Sequence, residues 1–188
     1  MTQAELLERL PSILPAGALR SSAVVRGQAV ADLERTPMRD ALAALRDHPD
    51  VRLEMLSDLT AVDYLGRVPR FEVVYQLYSI ARNHRLRVKV AVPEDDPVVS
   101  SVSSLWKSAI WAERETWDMF GIRFTGHPDL RRILMYPEFV GHPLRKDYPA
   151  DRTQPLVPFR EGYEKLPPFD QFEGMSFGRQ VFRSGKVD

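Results

Sequence analysis

Glu113, Glu115 and Asp118 are, by type and spacing, the residues of this 188-residue chain best suited to do chemistry. On a helix, Glu115 and Asp118 are three apart and share a face. Paired carboxylates of this kind act as general acid and base or hold a divalent cation. Arg114 precedes Asp118 by one helical turn, within salt-bridge reach. No His-x-x-Glu pair or other ligand set accompanies the acids. A charge cluster that locks the helix to a neighbour is therefore expected ahead of a metal or catalytic site.

A second constellation is a repeat. Gly126-His127-Pro128 is followed by Arg131-Arg132, and Gly141-His142-Pro143 by Arg145-Lys146. Two histidines and four cations could bind phosphate. The glycines, however, form neither a Gly-x-Gly-x-x-Gly nor a Walker pattern, and the triplets are turn formers. Structural turns carrying interface cations are expected. A proton-relay role for His127 or His142 stays open, because histidine titrates near neutrality. Asp63-Tyr64 places a lone acid at a strand end, usually a cap or turn position. There is no serine or cysteine nucleophile motif and no dinucleotide fingerprint. Trp106, Trp111 and Trp117 are expected as core or interface anchors.

From Glu113 to Pro149 charges stand beside large apolar groups. Glu113-Arg114-Glu115 lie between Trp111 and Trp117, and Arg145-Lys146-Asp147 between Leu144 and Tyr148. A solvated loop has no need of the aromatics, and a core has no room for unpaired charges. A surface that another protein covers needs both.

The elements that must position these residues are partly legible. Thr2 and Glu5 have capping-box spacing; Leu6, Leu7 and Leu10 form an apolar stripe, and Pro11 is expected to end that helix. Ala23-Val24-Val25 and Ala29-Val30 read as strands around Gly27. Thr36 can cap a helix with Pro37 in its first position and Met38, Ala41, Leu42 and Leu45 on one face, ending at His48-Pro49. Strands are expected over 51–57, with Val51, Leu53 and Met55 on one face, over 71–80, and over 85–92. In the last, Leu86, Val88, Val90 and Val92 alternate with Arg85, Arg87 and Lys89, so one sheet face is wet. The link around Asn83-His84 makes 71–92 an antiparallel hairpin. Asp96-Pro97 is expected to open a helix burying Val98, Val102, Leu105 and Ala109. A second helix over about 112–120 would end at Gly121. Beyond Pro149, prolines break every element while Phe159, Tyr163, Phe169, Phe172, Phe177 and Phe182 keep the chain sticky. The expectation is an α+β domain over 1–149 and an extended interaction arm over 150–188.

Totals exclude several classes. With 26 basic and 26 acidic residues the formal net charge is zero, so no bulk field draws nucleic acid. The absence of cysteine removes disulfides, cysteine-ligated clusters, thiolate zinc sites and thiol catalysis. Glu5 and Glu8 interrupt the first leucines, so no signal peptide is expected. No apolar run approaches the roughly 20 residues that span a bilayer.

The chain resembles the family of the C subunit of respiratory complex I, the proton-translocating NADH:quinone oxidoreductase. The resemblance is carried by Asp58-Leu59-Thr60-Ala61-Val62-Asp63-Tyr64, by Glu113-Arg114-Glu115-Thr116-Trp117-Asp118-Met119-Phe120-Gly121, and by the stretch from Gly126-His127-Pro128 through Gly141-His142-Pro143-Leu144-Arg145-Lys146-Asp147-Tyr148-Pro149. It implies an antiparallel sheet covered by helices, with a C-terminal extension wrapping a partner. It implies a non-catalytic place in the peripheral arm, on the cytoplasmic face of the membrane, against a large subunit resembling the nickel–iron hydrogenase catalytic subunit. Electrons would pass from NADH through FMN and iron–sulfur clusters to quinone, with those cofactors in partner subunits and none in this chain. The interface residues would be Glu113, Arg114, Glu115, Asp118, Gly121, His127, His142, Pro143, Leu144, Arg145, Lys146, Asp147 and Tyr148. Related chains serve in membrane-bound hydrogenases, but the motifs match complex I better. The competing classes are a metal-dependent hydrolase using Glu113, Glu115 and Asp118, and a nucleic-acid module using the two basic pairs.

Overall fold

Alternating β-branched and aromatic residues build the centre of the molecule. In the computed structural model, which describes residues 2–157, β4 (Phe71–Ser79) and β5 (His84–Val92) form an antiparallel hairpin in register from Phe71↔Val92 to Ser79↔His84. Phe71, Val73, Tyr75 and Leu77 are buried on one side together with Leu86, Val88, Val90 and Val92. Around this pair lie β3 (Met55–Asp63), antiparallel to β4, and β2 (Gln28–Leu33), parallel to β5. The edge strand β1 (Leu19–Val25) pairs antiparallel with β2. Sheet order is β1-β2-β5-β4-β3. The α+β class is as expected. The sheet is mixed, because the chain returns from β2 through a helix and two strands before laying β5 beside it in the same direction.

Helix α1 (Gln3–Ile13) carries the expected capping box, with Thr2 N–H to Glu5 Oε2 at 3.0 Å and Glu5 N–H to Thr2 Oγ1 at 3.2 Å. Pro11 lies inside it rather than ending it. The last turn is held by Leu14 N–H to Leu10 O at 2.9 Å and by burial of Leu10. Helix α2 (Met38–Asp47) buries the predicted Met38, Ala41, Leu42 and Leu45. Pro37, not Thr36, occupies its cap, without a side-chain hydrogen bond.

Two further expectations fail where the backbone or side chains find other partners. Val51 and Leu53 are buried but precede the strand. The amides of Val51, Arg52 and Leu53 donate to His48 O (3.2 and 2.8 Å) and Leu45 O (3.1 Å), closing the end of α2. The strand begins at Met55, and an irregularity between Leu56 and Asp58 turns Leu59, Ala61 and Asp63 inward. The helix expected from Pro97 is also absent. Val98–Ser100 form β6, parallel to β7 (Arg123–Thr125). Ser101 and Ser103 then use their hydroxyls on side-chain partners, which competes with helix formation. Helix α3 (Ala109–Phe120) starts only afterwards. The chain divides into units Met1–Gln154 and Pro155–Asp188. Nearly all of the predicted arm, with its phenylalanines, lies outside the described residues.

Candidate functional site

Helix α3 aims its charged residues in different directions. Its end is set by Gly121, whose φ of 80° is a left-handed value. A Cβ there would lie 2.7 Å from the His142 ring, so glycine lets the following loop close on the helix. His142 Nδ1 lies 2.9 Å from Asp118 O and therefore carries its proton on that nitrogen, and the ring meets Trp117 edge-on. Burial lowers the His142 pKa and favours the neutral ring.

Asp118 is fully buried. Its Oδ2 accepts the amides of Ile133, Leu134 and Met135 at 3.0, 2.9 and 2.9 Å, and Oδ1 pairs with Arg132. Burial pushes this carboxyl up, but the three amides and the guanidinium outweigh it and hold the group below its ordinary range. Arg132 also donates to Phe139 O at 2.8 Å and Gly141 O at 3.1 Å. Arg114 donates to Arg131 O at 3.0 Å and Arg132 O at 2.9 Å, and its guanidinium lies over Trp111. The expected Arg114–Asp118 pair does not form, because Arg114 leans toward the preceding turn and leaves Asp118 to Arg132. Arg145 Nε donates to Phe120 O at 2.9 Å and Leu144 N–H to Met119 O at 3.1 Å. Residues 131–145 contain no helix or strand. Their main chain is held by charged side chains instead.

A second hub ties the following residues to the sheet. Arg70, nearly buried, donates Nε to Asp63 Oδ1 at 2.8 Å and Nη2 to Asp63 Oδ2 at 2.7 Å. It also reaches both oxygens of Asp147, at 2.7 and 3.1 Å, and Glu94. Lys146 N–H donates to Asp63 Oδ2 at 2.8 Å. The guanidinium holds Asp63 and Asp147 below the usual carboxylate range. Asp63 is thus a buried ion-pair partner, not a turn cap. Sequence reasoning missed Arg70, although the cross-strand pair Asp63↔Phe71 puts it beside Asp63 once β3 and β4 are joined.

The remaining candidates divide between inside and outside. Glu113 is fully buried against Ser101 and Val102. His127 has both nitrogens engaged, Nε2 with Ile110 O at 3.0 Å and Nδ1 accepting Asp129 N–H at 3.0 Å. Tyr148 is half-buried, stacks on Phe139 and closes on Gly141, where a Cβ would sit 2.8 Å from its ring. Pro143 is half-buried, whereas Glu115, Leu144, Lys146 and Asp147 are exposed. Glu113, Arg114 and Asp118 are therefore not surface groups awaiting a partner; they are consumed within the chain. The three α3 carboxylates do not converge, and among the described residues no three His, Asp or Glu side chains gather where they could hold a metal ion. Large apolar side chains stand outside along with the exposed charges: Trp111 is 61% exposed, Leu134 56% and Leu144 52%, with Val140 nearby in sequence and exposed too.

Residues 31–154 match the family described as "Respiratory-chain NADH dehydrogenase, 30 Kd subunit". The chain belongs to this family. The C subunit of the NADH-quinone oxidoreductase of Roseiflexus castenholzii is 47% identical over 156 residues, covering 83% of this chain and 89% of that one. Its counterpart in Citrifermentans bemidjiense is 48% identical over 149 residues, 79% and 88% of the two chains. Among solved structures, the trypsin-resistant fragment of Nqo5 superposes with a TM-score of 0.58 at 33% identity, covering 69% of this chain and 100% of the fragment. A chain of an archaeal membrane-bound sulfane sulfur reductase shares the fold, with a TM-score of 0.66 at 24% identity over 90% of this chain and 96% of its own length.

Proposed function

We propose that this chain is the non-catalytic, structural C subunit of a proton-translocating NADH–quinone oxidoreductase. One observation carries the structural role: buried charges of α3 and its loop are used up in fixing residues 131–145, and the product is a shaped surface that exposes apolar side chains. Asp118, Arg132, Arg114 and Arg145 bind the chain's own backbone. Such groups have no capacity left for turnover. The exposed Trp111, Leu134, Val140 and Leu144, together with the exposed Glu115 and Lys146, make the proposed contact with the large, hydrogenase-like subunit. Aromatic and apolar anchors with charged neighbours suit a partner-covered surface. Neighbouring cluster-binding subunits of the peripheral arm are the further proposed partners, and FMN and iron–sulfur clusters belong to those partners. Among the described residues no helix is long and apolar enough to cross a membrane. The proposed attachment to the cytoplasmic membrane face runs through the complex.

The test separates assembly from chemistry. Membranes carrying Leu134→Asp with Leu144→Asp should contain less intact complex, while NADH–quinone turnover per assembled complex stays near normal. The purified chain alone should oxidise no NADH and show no flavin or cluster absorbance. Full assembly with abolished turnover would overturn the structural role; a stoichiometric chromophore in the isolated chain would overturn the cofactor assignment.

A further inference from the structure

Three acids are buried among the described residues: Asp63, Asp118 and Glu113. The first two face a guanidinium. Glu113 faces none. Its Oε2 lies 2.6 Å from Ser101 Oγ and its Oε1 accepts the Val102 amide at 2.7 Å, both neutral groups. Ser101 Oγ lies in turn 2.8 Å from Ser103 Oγ, where either atom can donate, and accepts the Ser103 amide at 3.1 Å.

The surrounding elements supply no cation. On α3, Arg114 turns to the carbonyls of Arg131 and Arg132, Asp118 is bound to residues 132–135, and the Thr116 hydroxyl is buried without a partner. The turn after β6 offers Ser101, Ser103 and the Trp106 indole, whose N–H is also unpartnered. Arg39 reaches that turn only at the exposed Ser104, at 3.1 Å. From β4 comes Tyr75, fully buried, its hydroxyl unpartnered; burial and the Glu113 charge both oppose its ionisation. From β3 the inward residues are the apolar Leu56, Leu59 and Ala61, and Asp63, whose charge is paired with Arg70.

The hydroxyl chain fits either protonation state with the same atoms in place. With Glu113 ionised, Ser103 donates to Ser101 and Ser101 to the carboxylate. With Glu113 protonated, the carboxyl donates to Ser101 and Ser101 to Ser103. The two amides keep their acceptors in both settings. Each hydroxyl has one proton and two acceptor sites, so Ser101 is fully used in both settings, while the protonated setting releases the Ser103 hydroxyl proton from Ser101.

We propose that Glu113 is an internal proton-binding site, occupied in the folded chain near neutral pH and filled through Ser101 and Ser103, whose proton sets how firmly the 101–106 turn is held on α3. Burial away from any cation pushes this carboxyl up to about 7. The sign follows. Between the ordinary carboxyl range and that value the folded chain holds a proton that the unfolded chain has lost, so stability falls as pH rises through this window. Above it both states are ionised, and the carboxylate stays buried at a constant cost. The buried imidazole of His84 and the half-buried one of His142, whose pKa values desolvation lowers, act in the opposite direction, so the comparison with a variant is the readout.

The experiment uses the full chain with carbon-13-labelled glutamate carboxyls, titrated by NMR, together with urea unfolding of wild type, Glu113→Gln and Ser101→Ala at about pH 5 to 8. One glutamate resonance should titrate near neutrality and vanish in Glu113→Gln. The wild-type unfolding constant should rise against that variant by up to tenfold per pH unit within the window, the limit for one linked proton. Ser101→Ala should move the midpoint further up, because the hydroxyl favours the ionised form. A merely structural hydrogen bond would not place a carboxyl midpoint near neutrality. If every glutamate titrates near its ordinary value of about 4.3, or if the pH profiles of wild type and Glu113→Gln run parallel, the proposal is wrong. Should Glu113→Gln fail to fold, the wild-type titration and the Ser101→Ala shift still decide.

Discussion

Asp118→Ala should release residues 131–135 from α3 while the sheet stays folded. The carboxylate is fully buried and serves four donors, three backbone amides at 2.9–3.0 Å and the Arg132 guanidinium. Breaking a buried ion pair by deleting one partner costs about 3–5 kcal/mol, because the other charge is left uncompensated. Each amide stripped of its acceptor adds about 1 kcal/mol or more while it remains inside. An irregular segment has a cheaper alternative: it opens, and water takes the donors. The measured loss should therefore level off at about 3–5 kcal/mol. Amide exchange read by mass spectrometry should show Ile133, Leu134 and Met135 losing protection while β4 and β5 keep theirs. Wild type should show the same opening in acid. A carboxyl held below its ordinary range stabilises fully above that range, and the contribution is lost as pH falls through the depressed value. In membranes the variant should leave less intact complex, with normal activity per assembled complex. If the three amides stay as protected as in wild type and the unfolding free energy from urea titration falls by less than about 0.5 kcal/mol, the buried charge does not hold the segment.

Other perturbations address separate parts of the scaffold. Gly121→Ala adds a Cβ 2.7 Å from the His142 ring at a φ of 80°, and should lower stability by more than the ~1 kcal/mol that positive φ alone costs, as read by thermal unfolding. Arg70→Ala should cost about 3–5 kcal/mol by stranding buried Asp63; Arg70→Lys should recover little of it, because a lysine cannot span both oxygens of Asp63. Leu134→Asp with Leu144→Asp should leave the free chain within about 0.5 kcal/mol of wild type, since both side chains are exposed, so that any assembly loss is an interface effect. Limited trypsin digestion should leave a resistant fragment that keeps the 71–92 hairpin. Its end should fall beyond Gln154 where Gln154 stays docked, since that side chain bonds Val140 N at 2.9 Å and Val140 O at 3.2 Å; cleavage inside 71–92 would refute a stable domain.

Where side chains repeat with the period of their element, the sequence was enough. The alternation over 85–92 located β5 and its buried face, the i, i+3, i+4 stripe located α2, and Thr2 and Glu5 located the start of α1. Glycine at 121 marked the end of α3, because only a left-handed residue lets the loop turn back there. The signal failed where local preference meets a tertiary partner. Val51 and Leu53 look like strand residues, yet their backbone closes α2. Val98 to Ala109 carries a helical stripe, but Val99 pairs with Phe124, and Ser101 and Ser103 turn toward Glu113. Charge pairing was least legible of all. Spacing on α3 suggested Arg114 with Asp118; the fold gives Asp118 to Arg132 and Arg114 to two carbonyls. Nothing local marks Arg70 as the partner of Asp63 and Asp147, because that pairing exists only when β3, β4 and the 142–149 turn meet. The density of charge and aromatics between Glu113 and Pro149 did signal that something other than a core is built there. Periodicity cannot specify an irregular segment, since it has no repeating face to bury. A segment of this kind must draw its shape from long-range polar contacts that satisfy its own main chain. The charges that do this here, Asp118, Arg114, Arg132 and Arg145, are spent on backbone groups, and apolar groups such as Leu134 and Leu144 remain outside along with exposed charges such as Arg131 and Lys146. Exposed apolar groups on a main chain fixed in this way are the physical reason to read the segment as a surface made for another chain.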